Sequence, residues 1–274
     1  MLKRIIPASG EELPVIGLGT WIQFDVGASS AERQPLTEVL TQMAAHGSSL
    51  IDSSPMYGRA EAVVGDLTSQ MPIGNEFFYA TKVWTTGKAH GAQQIQASFY
   101  KLRRSVIDLL QIHNLVDWKT HLATLRQLKE EGRIRYIGIT HYHRSAHAQL
   151  EQVLRAEPID FVQVNYSIRE RHAEASLLAT AQERGVAVII NEPFETGALF
   201  TAVKGKVLPA WAAAYNINSW SQFFLKYIIS HPAVTCVIPG TSNPRNVVDN
   251  MGAGVGPLPD EAARRKMVAT MGAL

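Results

Sequence analysis

Four side chains in the sequence form a set with a definite chemical use: the carboxylate of Asp52, the phenol of Tyr57, the ammonium of Lys82 and the imidazole of His113. A free phenol has a pKa of about 10 and donates a proton poorly at neutral pH unless its anion is stabilised. Lowering that value by roughly 2–3 units takes about 3–4 kcal/mol. An ammonium about 4 Å from the oxygen supplies on the order of 4 kcal/mol at an effective dielectric near 20. Lys82 is the candidate for that task, with Asp52 holding it in position and keeping it charged, and His113 able to orient a substrate oxygen by hydrogen bonding. Such a set suits protonation of a carbonyl oxygen while another group delivers hydride to the carbon.

Taken one at a time, the four have blander readings. Asp52, Ser53 or Ser54 can cap a helix, Tyr57 can pack, Lys82 can be solvated and His113 can be a satisfied core histidine. The argument for the set is where its members fall. Compact apolar runs at Val15–Gly19, Ser49–Asp52, Phe77–Lys82, Ile107–His113, Ile134–Ile139, Phe161–Val164, Val186–Ile190 and Val234–Ile238 predict eight strands. Between them lie helical patterns, such as Leu36/Val39/Leu40/Met43 ending at Gly47, Leu122/Leu125/Leu128 closed by Gly132, and Trp220/Phe223/Phe224/Tyr227/Ile228 before Pro232. Strand–helix alternation repeated eight times predicts an α/β chain of the closed parallel (β/α)8 or TIM-barrel class, covering 1–274 as one domain. Two short strands, Arg4–Ile6 and Leu13–Val15, read as a β-hairpin able to plug the barrel bottom, and Pro259–Ala273 as an extra C-terminal helix. Phe194–Asn218 reads as a long loop with a short helical piece, a candidate lid.

In such a barrel the C-terminal ends of the strands share one mouth. The residues gathered there are Thr20-Trp21, Asp52 through Tyr57, Lys82 and Trp84, His113-Asn114, Thr140-His141-Tyr142-His143, Gln163-Asn165-Tyr166, Asn191-Glu192-Pro193 and Gly240-Thr241-Ser242-Asn243. Asp52, Tyr57, Lys82 and His113 thus converge from three adjacent strand ends. Trp21, Trp84 and Trp118 are candidate apolar walls of a substrate pocket. The connections Thr85–Gln93 and Asp117–His121 look short, which predicts an open, permissive pocket. His141 and His143 admit a metal-hydrolase reading with Asp52, His113 or Asp117, but the Lys82 ammonium in the same mouth and an incomplete ligand set argue against it, so no metal is expected.

Composition bounds the rest. With 274 residues, 46% hydrophobic content and a net charge of +2, the chain can bury a core and has no basic run that would mark a nucleic-acid surface. The one cysteine, Cys236, lies in an apolar run and reads as core. No stretch approaches membrane-spanning length, and the N-terminus lacks the apolar core of a secretory signal. The expectation is a soluble cytoplasmic protein, unless a leader has been removed, with no membrane partner; nothing in the sequence speaks to oligomeric state.

The sequence resembles the aldo-keto reductase family over nearly its whole length. The resemblance is carried by Gly17-Leu18-Gly19-Thr20-Trp21, Ile51-Asp52-Ser53-Ser54-Pro55-Met56-Tyr57-Gly58, Thr81-Lys82-Val83-Trp84, Gln111-Ile112-His113, Gly132 through Ile139, Gln163-Val164-Asn165-Tyr166 and Val237-Ile238-Pro239-Gly240-Thr241. It implies Tyr57 as general acid, Lys82 and Asp52 as its tuning pair, His113 as the orienting group, a small carbonyl compound as substrate, and reduced nicotinamide nucleotide as hydride donor. Substrate contacts would come from Trp21, Trp84, His113 and Trp118. Cofactor contacts carry over to Thr20, Trp21, Asp52, Thr140, His141, Gln163, Asn191, Pro193, Phe194, Gly197, Gly240, Thr241, Ser242, Arg245, Asn246 and Asn250. Three departures stand out. His141 replaces the asparagine of a Ser-Asn pair, Asn191-Glu192-Pro193-Phe194 replaces Tyr-Ser-Pro-Leu and lacks its stacking aromatic, and Gly240 and Asn246 replace a lysine and an arginine that face the 2′-phosphate. Arg245 and the helix start near Pro244 still favour an anion, so NADPH is expected, with NADH as the alternative. A second class, a nicotinamide-nucleotide sensor with incidental turnover, uses the same scaffold but has no need of Tyr57 and His113.

Overall fold

The computed structural model describes residues 1–273. Among these, eight parallel strands run β3 (Leu18–Gly19), β4 (Leu50–Asp52), β5 (Phe78–Val83), β6 (Ile107–His113), β7 (Ile134–His141), β8 (Phe161–Asn165), β9 (Ala187–Asn191) and β10 (Cys236–Val237), each hydrogen-bonded to the next. Bridges Ile16 to Val237 and Gly19 to Gly240 join the two ends and close the barrel. The first and last strands are shorter than the apolar runs imply, because their outer residues bond as single bridges and not as a continuous ladder. A hairpin of β1 (Lys3–Ile5) and β2 (Glu12–Pro14) precedes the barrel, one residue ahead of the expected register.

Period-two alternation sorts the strand residues into two layers. Leu110, Ile112, Ile137, Ile139, Val162 and Val164 face outward and pack beneath the helices. Leu50, Phe78, Ala80, Leu109, Tyr136, Phe161, Ala187, Ile189, Cys236 and Ile238 face inward, and Ile6 and Leu13 of the hairpin region join them. The hairpin therefore does seal the bottom of the barrel. Above this apolar plug the same inward rows turn polar: Asp52 follows Leu50, Lys82 follows Ala80, Gln111 and His113 follow Leu109, and Gln163 follows Phe161.

Helices α1 (Ser30–Ala45), α2 (Ala60–Thr68), α3 (Lys88–Leu102), α4 (Trp118–Glu130), α5 (His147–Ala156) and α6 (Leu177–Glu183) alternate with the strands. The excursion after β9 is more helical than a loop: α7 (Ala198–Ala202) and a 3₁₀ segment at Ala210–Tyr215 precede α8 (Trp220–Ile229). The chain ends with α9 (Pro244–Gly252) and α10 (Glu261–Gly272), the expected extra helix, which Arg264 ties to Glu174 at 2.7 Å and to the Tyr166 hydroxyl at 2.8 Å. Two connections are shorter than expected because helices begin early. Gly87, at φ +84°, turns directly into α3, and Asp117, at φ +46°, directly into α4. Among the described residues no helix is long and apolar enough to cross a membrane.

Gly65 marks where α2 and α3 touch: a Cβ there would lie 2.0 Å from the Lys101 carbonyl oxygen. Relief would require moving backbone, so Gly65→Ala should cost about 1–3 kcal/mol or more through overpacking. Chemical denaturation of the two proteins should show a lower midpoint for the variant at unchanged slope.

Candidate active site

The inward rows end at a cleft of about 750 Å³ in the barrel mouth. Its floor is built around one buried charge. Lys82 has no exposure, and its ammonium donates to Asp52 Oδ2 at 2.6 Å and to the Ser53 carbonyl at 2.7 Å. The second oxygen of Asp52 accepts from Gln111 Nε2 at 3.0 Å and Gln163 Nε2 at 2.9 Å. Gln163 Oε1 in turn accepts from the Thr140 hydroxyl at 3.3 Å and from Asn191 Nδ2 at 3.4 Å. Gly138 leaves room for this layer, since a Cβ there would come within 2.7 Å of Gln111 Cγ.

Tyr57 sits over this floor with Lys82 Nζ 5.0 Å from its ring centroid, and His113 packs edge-on against the ring at 5.9 Å between centroids. The turn carrying Tyr57 is short: Tyr57 N–H donates to the Ser54 carbonyl at 3.0 Å, and Gly58 at φ +59° leads toward α2. Asp52, Tyr57, Lys82 and His113 are thus brought together as the sequence predicts.

Their electrostatics differ from expectation. The Tyr57 hydroxyl is pushed up from the ordinary phenol value, not down, because burial outweighs the pull of Lys82, while the charges of Asp52 and Glu192 add to the rise. Although the ring keeps some solvent access in the cleft, protein surrounds it on its other sides. For Lys82, burial disfavours the charge, but Asp52 and Tyr57 together reverse that and hold the ammonium above its usual range. Burial, followed by the charges of Lys82 and His141, drives His113 down to about 2. The imidazole is therefore neutral at any working pH.

Of the other expected residues, Thr20, Trp21, Trp84, Thr140, Gln163, Asn191, Pro193, Phe194, Gly197 and Gly240 line the cleft. Trp21 and Trp84 are 49% and 41% exposed, so their rings are available to a ligand. His141 does not line the cleft: it has the parity of Ile139, its Nδ1 accepts the His143 N–H, and its ring stacks on Tyr142. Trp118 is also displaced, because it is the first residue of α4 and packs against the outer core with Lys119 over its ring. Asn250 is buried inside α9, where its Oδ1 takes the Ser221 hydroxyl, and it does not line the cleft. Thr241 is buried and caps the Asn243 N–H at 3.1 Å, while Ser242 donates to Gln23 at 3.0 Å. Arg245 and Asn246 stand exposed in the first turn of α9, which Asn243 caps. Arg245 makes no ion pair among the described residues.

Of the remaining wall residues, Asn114, Glu192, Met56 and Tyr142 are among those the sequence gathers at the mouth, whereas Ile22, Thr196 and Phe200 are not. Ile22, Asn114 and Glu192 line the cleft on left-handed backbone, at φ +62°, +53° and +49°, a conformation that asparagine adopts readily but that is costly for Ile22 and Glu192. Met56, Tyr142, Thr196 and Phe200 complete the wall. Gln111 and Ser54 support the floor. The period-two rule applied backward from His113 finds Gln111, whereas Phe200, on α7, carries no sequence signal. Burial, with Glu195 nearby, raises the Glu192 carboxyl above its usual range.

The donor set suits a nicotinamide nucleotide. The side-chain amide oxygens of Asn114 and Asn191 are buried without a partner among the described residues, two acceptors that a ligand N–H or O–H would satisfy. At the far end the capped N-terminus of α9 and the unpaired Arg245 guanidinium suit a phosphate. Among the described residues no group of three or more His, Cys, Asp or Glu is arranged to hold a metal ion.

A family model described as the aldo/keto reductase family matches residues 15–266. Among curated proteins, a relative named NADH-specific methylglyoxal reductase, from Escherichia coli K12, is 25% identical over 250 residues, covering 78% of this chain and 73% of its own length. Among solved structures, a Klebsiella pneumoniae aldo-keto reductase in complex with NADPH superposes with a TM-score of 0.83 at 24% identity, over 99% of this chain and 96% of that one. A second from the same organism, in complex with NADP and acetate, gives 0.81 at 23% identity over the same shares.

Two predictions follow from the floor. Asp52→Leu leaves the Lys82 charge with only the Ser53 carbonyl and should cost about 3–5 kcal/mol. Lys82→Met leaves Asp52 two amide donors and should cost roughly half as much; equal losses in denaturant titration would contradict this wiring. The second concerns acid. Besides His113, burial lowers the affinity of His141, His147 and His231 for protons. As pH falls through about 6.5 the unfolded chain binds these protons and the folded chain does not, so stability present above that pH is lost below it. His113 alone should remove about 1.4 kcal/mol per unit below 6.5, visible as a falling Tm between pH 7 and 5.

Proposed function

The chain belongs to the aldo-keto reductase family, and from that premise we propose that it reduces aldehyde or ketone carbonyls to alcohols with a nicotinamide nucleotide. The carrying observation is that a phenol, a paired ammonium and a neutral imidazole meet over one cleft floor. The chemistry supplied by a bound reduced nicotinamide is hydride donation to the carbonyl carbon. Tyr57 is the proton donor to the carbonyl oxygen, and its high proton affinity keeps it loaded at neutral pH. Lys82 acts as negative charge grows on the phenol oxygen, and Asp52 keeps Lys82 in position. His113, neutral, orients the carbonyl oxygen by donating a hydrogen bond.

Trp21, Trp84, Ile22, Met56 and Phe200 form an apolar wall, which favours bulky carbonyl compounds over small hydrophilic aldehydes. Thr140, Gln163, Asn191, Pro193, Phe194, Gly197 and Gly240 bound the part of the cleft where the nicotinamide end is expected, and Arg245 with the start of α9 the phosphate end. Gln163 acts through Asp52 and Thr140 as well as toward a ligand. The free guanidinium of Arg245 favours NADPH; the name of the Escherichia coli relative supports NADH as the alternative.

Titration with NADPH and NADH, followed by tryptophan fluorescence, should show saturable quenching with the tighter binding for NADPH. Tyr57→Phe should retain that quenching and lose about 10²–10⁴-fold in kcat on an aldehyde panel. Unchanged reduction by Tyr57→Phe would remove Tyr57 from the mechanism, and absence of quenching by either nucleotide would remove the reductase reading.

A further inference from the structure

The His113 ring has a neighbour that the proposed reaction does not use. Ser54 is fully buried, and its Oγ lies 3.0 Å from His113 Nδ1. The same oxygen accepts the Met56 backbone N–H at 3.4 Å, and among the described residues the hydroxyl has no other polar partner. On the other side of the ring, Nε2 has no protein partner among the described residues, and His113 lines the cleft.

Two proton arrangements are compatible with the 3.0 Å contact. In the first, Ser54 donates to Nδ1, its oxygen accepts from Met56, and the single proton of the neutral imidazole resides on Nε2. In the second, Nδ1–H donates to Ser54. The oxygen then receives two donors, and its own proton is sealed in the barrel wall with no acceptor. Folded proteins avoid a buried donor left in that state. The first arrangement alone satisfies every group.

We propose that Ser54 is a positioning residue that fixes His113 as the Nε2–H tautomer, so that the ring presents a donor to the substrate oxygen. Its catalytic half rests on the reductase reading. With the proton on Nδ1 the ring would turn a lone pair toward the carbonyl oxygen and repel it, so the hydroxyl sets the sign of the interaction. The backbone couples this device to the proton donor, because Tyr57 N–H is bonded to the Ser54 carbonyl at 3.0 Å. One turn therefore carries both the phenol and the group that sets the imidazole.

The test is long-range ¹H–¹⁵N NMR of the ¹⁵N-histidine-labelled full chain without nucleotide or substrate, with His113 assigned by its loss in His113→Gln. Wild type should show His113 Nδ1 as the unprotonated nitrogen. Ser54→Ala should shift the ring toward a mixture of tautomers and lower kcat about tenfold at unchanged nucleotide affinity, a loss of about 1.4 kcal/mol in the transition state. Ser54→Thr, which keeps the hydroxyl, should restore both; if it fails to fold, the alanine spectrum decides alone. A protonated Nδ1 in wild type, or a Ser54→Ala spectrum identical to wild type, overturns the proposal. Because the spectrum is read without turnover, a chain that reduces no carbonyl would overturn the reductase reading and the catalytic half of the inference while the tautomer result stood by itself.

Discussion

An ammonium sealed from solvent inside a barrel must be paired and fully hydrogen-bonded, or it would lose its proton or unfold its surroundings. Lys82 meets that condition through Asp52 and the Ser53 carbonyl. Asp52, once enlisted, still has an oxygen to satisfy, and Gln111 and Gln163 supply donors to it. Gln163 then has its own carbonyl to satisfy, which Thr140 and Asn191 do. One charge thereby recruits inward residues from six consecutive strands, β4 through β9. The polar layer under the cleft is the chain of consequences of burying Lys82, and its rigidity follows from the number of groups that would be orphaned if any member moved.

That layer also explains what was legible in the sequence. The strands were readable because each is a short apolar run, and Asp52, Lys82 and His113 because each ends one. The parity of the residues beyond them was less visible. His141 immediately follows Thr140 at the end of the same strand, yet alternation turns one into the barrel and the other out of it, and only the inward position of Gly138 and Thr140 against β6 and β8 fixes which is which. Trp118 went astray for a different reason. A left-handed Asp117 starts α4 earlier than the residue types announce, and an aromatic at the first position of a helix faces the neighbouring layer instead of the mouth. Ser54 resembled a helix cap in sequence. Its role depends on a ring 59 positions away, which no local pattern encodes.

The phenol shows where pairwise reasoning fails. A lone ammonium near Tyr57 would lower its pKa by the amount Coulomb's law gives for one charge, but Lys82 is never alone: Asp52 is 2.6 Å from it and opposes part of its pull on the phenol. Burial outweighs the pull that remains and decides the direction, and Glu192 pushes the same way as Asp52. The resting phenol therefore holds its proton firmly. Under the proposed mechanism this is a workable state for a donor, because what matters is the stabilisation of the phenolate at the moment when the carbonyl oxygen takes the proton. The ammonium already lies under the ring and requires no reorganisation then, while the neutral His113 adds a hydrogen bond to the substrate oxygen without a competing positive charge. In that mechanism a neutral imidazole and a protonated phenol suit proton delivery to a neutral carbonyl, and the buried ion pair beneath them is the fixed dipole against which the proton moves.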